Sequence, residues 1–201
     1  MRYKINEIFY SLQGEGAHTG VPAVFVRFSG CNLHCDFCDT RHEEGEWLSE
    51  SDIAAFVNAY PAEWIVLTGG EPSLYVDENL VQYLHVATGK KIAIETNGMR
   101  RVPETLDWIT FSPKLLKDHP FDVTDYPIQR ADEIKVVDTG QPLDPYFTLP
   151  QAGSLTRMFL QPCYVPDIEG YRENIRRTVE RVKEDPRWQL SAQMHRFLSI
   201  P

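Results

Sequence analysis

The sequence holds only four cysteines in 201 residues, no long apolar run, no surplus of basic charge and no repetitive or Gly/Ser-rich tract. Each shortage excludes something. Without a stretch near the roughly 20 apolar residues of a membrane span, no transmembrane segment is expected. The opening residues MRYKINEIFYSLQGEG lack the apolar core and small-residue cleavage site of a signal peptide, so a cytoplasmic location is expected. Acidic residues outnumber basic ones 29 to 20, a net charge of −9, which argues against a nucleic-acid surface. A few local Arg and Lys residues would still suffice to bind a small anion. Four cysteines in a reducing compartment are not expected to form disulfides; thiols clustered there bind metal or do redox chemistry. With no repeat or linker, the whole of 1–201 reads as one domain, long enough to bury a sizeable core.

What is present is an alternation of short apolar runs and helix-like stretches. Strands are expected at 23–28, 64–72, 91–98, 108–113, 133–138 and 157–162, from runs such as AVFVRF, EIKVVD and RMFLQP. Helices are expected at 49–60, with Ser49 as cap, at 77–88 and at 168–185. This order implies an α/β fold with a parallel sheet and helices on its outer face. A complete (β/α)8 barrel needs roughly 250 residues. About six core strands therefore point to an open, partial and shortened (β/α)6 TIM-like barrel. Cys31, TGGEP, ETNG, SPK and QPC each follow the C-terminal end of an expected strand. In parallel α/β folds, ligands bind along that edge.

Three of the four cysteines fall in CNLHCDFCDT as C-x3-C-x2-C: Cys31, Cys35 and Cys38. Structural zinc requires four ligands, usually as two pairs. No second pair exists, although His34 or His42 is near enough in sequence to complete a zinc site. The alternative is a [4Fe–4S] cubane, whose irons are normally each held by thiolate. Three cysteines then leave one iron open to a ligand from outside the protein. Cys163, in LQPCYVPD, is not expected to be a ligand.

The triplet, with Phe37 before its third cysteine and GGEP at 69–72, resembles the signature of the radical S-adenosylmethionine superfamily. Within it, the run SLQGEG…G…FVR…GC, the Asp-Thr after the triplet, TGGEP, ETNG, SPK and QP resemble the 7-carboxy-7-deazaguanine synthase family, in the family's order and over essentially the whole chain. That resemblance implies a radical SAM type of partial barrel. It implies that the open iron of the cluster binds S-adenosylmethionine and that reductive cleavage yields a 5′-deoxyadenosyl radical. The implied substrate is 6-carboxy-5,6,7,8-tetrahydropterin, whose ring contracts to 7-carboxy-7-deazaguanine with loss of ammonia, assisted by Mg2+, as a step towards queuosine. It further implies a homodimer and an electron donor of the flavodoxin or ferredoxin type.

Carried over residue by residue, the resemblance places Leu12, Gln13, Gly14, Glu15, Arg27, Thr68 and the terminal Pro201 at the substrate. It places Phe37, Cys38, Asp39, Gly70, Ser112, Pro113, Lys114 and Gln161 at S-adenosylmethionine, and Thr40 at Mg2+. Residue chemistry agrees at several of these positions. Gln13 offers donors and acceptors to a pterin's pyrimidine edge. Arg27 suits bidentate pairing with a carboxylate. The Thr40 hydroxyl suits a cation that prefers oxygen and retains water. Glu71 is open to two roles, holding an ammonium or a structural contact. Glu95, Thr96 and Asn97 lie near the site without an assigned role. Lys135 alternates with Ile134 and Val136, so it either faces the barrel interior or snorkels to its end. Rival readings are an activase of a glycyl-radical enzyme, which would carry a different N-terminal segment, and a metal-binding module without catalysis, which gives no reason for five motifs along one rim.

Overall fold

One strand direction dominates the protein. In chain order the strands are β1 (Arg2–Leu12), β2 (Pro22–Phe28), β3 (Glu46–Ser49), β4 (Trp64–Gly69), β5 (Lys91–Thr96), β6 (Trp108–Phe111), β7 (Glu133–Asp138), β8 (Arg157–Pro162) and β9 (Gln189–Leu190). They form one sheet in the order β3-β1-β2-β4-β5-β6-β7-β8-β9. Each neighbouring pair from β2 to β9 is parallel, and β1 joins β2 and β3 antiparallel. The computed structural model describes residues 1–114 and 126–201. Its helices are α1 (Glu50–Asn58), α2 (Glu78–Thr88), α3 (Ile168–Glu184) and the short α4 (Met194–Leu198). None of the described helices is long and apolar enough to cross a membrane.

The two faces of the sheet follow from the period of two along each strand. Val24, Val26 and Phe28 of β2, Ile65 and Leu67 of β4, and Ile92 and Ile94 of β5 are fully or almost fully buried. They pack with Ile53 and Val57 of α1 and Leu80 and Leu84 of α2 in the main core. The alternate residues point the other way. There Ala23, Phe25, Val66 and Ala93 form a second, smaller cluster capped by Phe9, Trp64 and Trp108. Moving along this inner face in the strand direction, the same parity reaches Arg27, Thr68, Glu95, Lys135 and Gln161. The interior thus turns from apolar to polar towards the C-terminal ends of the strands.

The parallel core matches the expected open partial barrel, and β7 and β8 run over the expected residues. Two features differ. An eleven-residue antiparallel strand, β1, extends the sheet beyond β2 and carries an irregularity between Ile5 and Glu7. The helical layer is also thinner than a repeated β/α unit predicts. Residues 97–107 connect β5 to β6 without a helix, and between β7 and β8 there is only a 3-10 helix, Asp144–Thr148. The connection from β6 to β7 lies partly outside the described residues. Helix α3 packs Val182 against the core and is also fastened through Asp138. Asp138, fully buried at the end of β7, accepts from Thr178 Oγ1 at 2.8 Å and from the Arg181 guanidinium.

Ser49 ends β3 and begins α1 through a reciprocal capping box. Its side chain accepts from Asp52 N at 3.2 Å, and Asp52 Oδ2 accepts from Ser49 N at 2.9 Å. Replacing Ser49 by Ala is expected to lower stability by about 1 kcal/mol, and Ser49→Asp to retain most of it. Urea unfolding with an unchanged m-value checks this.

Candidate active site

The polar ends of the inner strand face open into a cavity of about 320 Å3. Its walls come from the end of β1 and the segment after it, the inner face of β2, the cysteine loop, the glycine turn after β4, the ends of β5 to β8, and the C-terminal residues. Every residue expected at a site lines it except Pro113, which is buried beside Ser112 outside the lining. The thiols of Cys31, Cys35 and Cys38 therefore share one space with Leu12, Gln13, Gly14, Glu15, Arg27, Thr68 and Pro201. Cys163 is buried after β8 and does not contribute to the lining.

The thiols are free and partly exposed, Cys38 most of all. Burial raises the Cys31 and Cys35 thiols above their ordinary pKa. Among the described residues, no three His, Cys, Asp or Glu side chains converge on a point as a single metal ion would require. A cubane does not ask for that, because it spreads its thiolates over different irons. The donor set, three thiols on one loop facing an open cavity, fits such a cluster, which Cys31, Cys35 and Cys38 would hold.

The loop beside it needs glycine. A Cβ on Gly70 would lie 2.0 Å from Gly30 O, and Gly69 has φ of +131° with its missing Cβ 2.2 Å from Phe28 O. The chain passes directly against the start of the cysteine loop, which only glycine permits. Glu71, next in line, has the structural one of its two possible roles. Its buried carboxylate accepts from Ser73 N at 3.0 Å, Thr96 Oγ1 at 2.6 Å and Asn97 N at 2.7 Å. Asn97 Nδ2 then donates to Asn32 Oδ1 at 2.9 Å, which fastens the turn after β5 to the cysteine loop.

The cavity floor is a charged network. Lys135 faces inward and is 6% exposed, which excludes the snorkelling alternative. Its Nζ donates to Glu15 Oε2 and to Glu95 Oε1, the latter at 3.4 Å. Glu95 also accepts from Gln13 Nε2 at 3.1 Å and Thr68 Oγ1 at 2.9 Å. Glu15 Oε1 accepts from the amides of Gln161 and Gln193, both at 3.0 Å. Burial alone would raise the Glu15 pKa, but the Lys135 charge and these donors reverse that and hold it at about 2. Lys135 is raised despite burial by its three carboxylate neighbours, and burial lowers Lys114.

Arg27 uses Nε for Glu7 at 2.7 Å and lies over the Phe9 ring, 5.6 Å from its centroid. Its two terminal nitrogens have no hydrogen bond among the described residues and remain able to fork onto a carboxylate. Thr40 Oγ1 lies 3.4 Å from Asp39 Oδ1, so two oxygen groups sit side by side at the cavity edge. Gln161 is committed at both ends of its amide, to Glu15 and to Ser191 at 2.9 Å.

The C-terminal segment supplies cavity residues that no local pattern announced. Met194 N donates to Gly14 O at 3.0 Å, and Pro201 O accepts from Ser11 Oγ at 2.8 Å. Between these anchors Gln193, His195 and Arg196 line the cavity with Pro201. Arg196 donates to Asp39 Oδ2 at 2.5 Å and stacks on Tyr164, 3.5 Å from the ring centroid. The only hint in the sequence is the polar cluster QMHR placed before an apolar ending.

The Radical SAM superfamily matches residues 25–123 of the chain. A 7-carboxy-7-deazaguanine synthase of Bacteroides thetaiotaomicron is 50% identical over 200 residues, covering 100% of both chains. That of Burkholderia multivorans is 40% identical, again covering 100% of both. Among solved structures, QueE from Escherichia coli superimposes with a TM-score of 0.76 at 30% identity, covering 97% of this chain and 95% of that one.

The Glu15 pairing makes acid stability testable. A carboxyl whose folded pKa is about 2 contributes its full stabilisation above its unfolded pKa, near 4.5, and loses it as pH falls through 2. Urea unfolding of the metal-free chain should therefore weaken between these values. A Glu15→Gln variant, less stable at neutral pH, should show a shallower decline over that window.

Proposed function

The chain belongs to the 7-carboxy-7-deazaguanine synthase family, and on that premise we propose that the cavity converts 6-carboxy-5,6,7,8-tetrahydropterin to 7-carboxy-7-deazaguanine with loss of ammonia. This is a ring contraction by radical SAM chemistry in queuosine biosynthesis. The observation that supports it best is that three thiols and the substrate-matching residues of distant segments line one space. When bound on Cys31, Cys35 and Cys38, a [4Fe–4S] cluster with S-adenosylmethionine supplies a one-electron route to hydrogen abstraction from carbon.

The protein's share is binding, orientation and exclusion of water. The pterin's amino-pyrimidinone edge presents N–H donors, which suit the carboxylates of Glu15 and Glu95 with the Gln13 amide between them. Leu12, Gly14 and Thr68 bound the same face. The substrate carboxylate suits the free fork of Arg27, and Pro201 closes the space from the chain end. Gly70 lets backbone approach the amino-acid end of S-adenosylmethionine. The backbone of Phe37 to Asp39, with Ser112, Lys114 and Gln161, frames the rest of that cofactor, and Pro113 stands behind it between Ser112 and Lys114, outside the lining. Thr40, with substrate oxygens and water, would hold Mg2+. We further propose that residues 1–201 act as one cytoplasmic domain, that the enzyme is a homodimer, and that a small flavodoxin- or ferredoxin-type protein supplies the electron.

Iron-reconstituted protein incubated anaerobically with dithionite, S-adenosylmethionine and the tetrahydropterin should yield 7-carboxy-7-deazaguanine by mass spectrometry, and Cys35→Ala should yield none. Formation of 5′-deoxyadenosine without that product would defeat the substrate assignment. A peptide tag after Pro201 is expected to depress turnover far more than the same tag before Met1, because Pro201 lines the cavity and Met1 lies exposed against Glu50.

A further inference from the structure

Among the described residues, Lys135 is the one cation ion-paired with both Glu15 and Glu95. Glu15 reaches it from the segment after β1 and Glu95 from β5, while Glu133, two residues earlier on its own strand, acts on it through its charge without pairing with it. Because β6 lies between β5 and β7, the Lys135–Glu95 contact bridges the concave face rather than following a strand ladder. Each carboxylate is also fixed by neutral donors: Gln13 and Thr68 on Glu95, Gln161 and Gln193 on Glu15. Glu133, one layer deeper, has its own donors in Ala17 N at 2.8 Å and Thr110 Oγ1 at 2.9 Å. The other charges facing this cluster are Lys114 from the end of β6, His195 from α4 and, beyond Gln193, Asp39. None of these three makes a hydrogen bond or ion pair with Glu15 or Glu95 among the described residues. The neutral donors aim the carboxylates, but among the described residues only Lys135 joins the Glu15 side chain to that of Glu95.

We propose that Lys135 is a positioning residue for substrate recognition: by pairing with Glu15 and Glu95 together, it keeps both as anions side by side on the cavity floor, where they accept from the donor edge of the pterin. The inference rests on the substrate reading above. Without the ammonium, two carboxylates in a desolvated floor would repel, and one would take up a proton. A protonated carboxyl presents O–H where the substrate presents N–H, so recognition would weaken on both geometry and charge. The depressed pKa of Glu15, held down by Lys135 against burial, agrees with this account.

The test compares reconstituted holoenzyme as wild type, Lys135→Gln and Lys135→Arg. The first readout needs no ligand: melting temperature from pH 5 to 8. Lys135→Gln is expected to lose stability relative to wild type as pH rises. A carboxyl with a folded pKa above its unfolded one favours the folded state only while protonated. Lys135→Arg should run parallel to wild type. A uniform displacement of Lys135→Gln at all pH values would show a merely structural role and overturn the proposal. The second readout is KM for the tetrahydropterin. Lys135→Gln should raise it at least about tenfold, with a further rise as pH falls, and Lys135→Arg should restore a flat profile. A kcat loss with unchanged, pH-independent KM would overturn it. If wild type does not turn over the pterin, the substrate reading falls, and the ligand-free series still decides whether Lys135 sets the carboxylate charge.

Discussion

The common direction of the strands from β2 to β8 is the constraint on which the rest depends. A parallel sheet brings every strand to the same edge, and the side-chain period of two then decides which residue of each strand enters the interior. In this chain the inward residues near the strand starts are Ala23, Phe25, Val66 and Ala93, which fill the space between the walls. The inward residues near the strand ends are Arg27, Thr68, Glu95, Lys135 and Gln161, which line a cavity that Phe25 also borders. One parity rule therefore builds both a packed lower interior and a polar upper one. Shifting any of these strands by one residue would exchange its cavity residue for a core residue.

The second consequence is electrostatic. Polar groups taken from water must be partnered, and charges must be paired. The cavity meets this with ion pairs and amides already in place, Lys135 to Glu15 and Glu95, and the Gln13, Gln161 and Gln193 side chains around them. The floor is thus ordered before any ligand arrives, which reduces what binding must organise. Arg27 is fixed by Glu7 and Phe9, and its terminal nitrogens have no hydrogen bond among the described residues. The C-terminal segment joins both halves of the site, since Gln193 donates to Glu15 on the floor and to Asp39 on the cysteine loop. The cysteine loop and the cavity floor are parts of one hydrogen-bonded unit.

How much of this was legible in the sequence follows from the range of the forces involved. The β7 and β8 strands, with EIKVVD and RMFLQP, and the Ser49 cap of α1 depend on adjacent residues, and their residues announce them. The short motifs of the site were visible because each follows a strand end, and a shared direction then places them together. By contrast β1 has a broken burial pattern and an irregular register, because it is shaped by antiparallel pairing to β2 and β3. No helix was expected at 97–107, where Gly98 and Pro103 interrupt the stretch, and none forms there. Gln193 and Arg196 could not be read locally, since their partners Glu15 and Asp39 lie more than 150 residues away. Glu95 was legible only as a residue near the site and Lys135 as either inward-facing or snorkelling, and their mutual pairing is a fact of three dimensions.

On this reading cluster, S-adenosylmethionine and pterin share one cavity at the C-terminal edge of the sheet. The most direct measurement is a crystal structure of the anaerobically reconstituted enzyme with both small molecules bound. The account predicts a [4Fe–4S] cluster on Cys31, Cys35 and Cys38, S-adenosylmethionine against Gly70 and Ser112, and the pterin between Gln13, Glu15, Arg27 and Pro201. Density for the pterin outside that cavity, or a cluster ligated by Cys163, would contradict it.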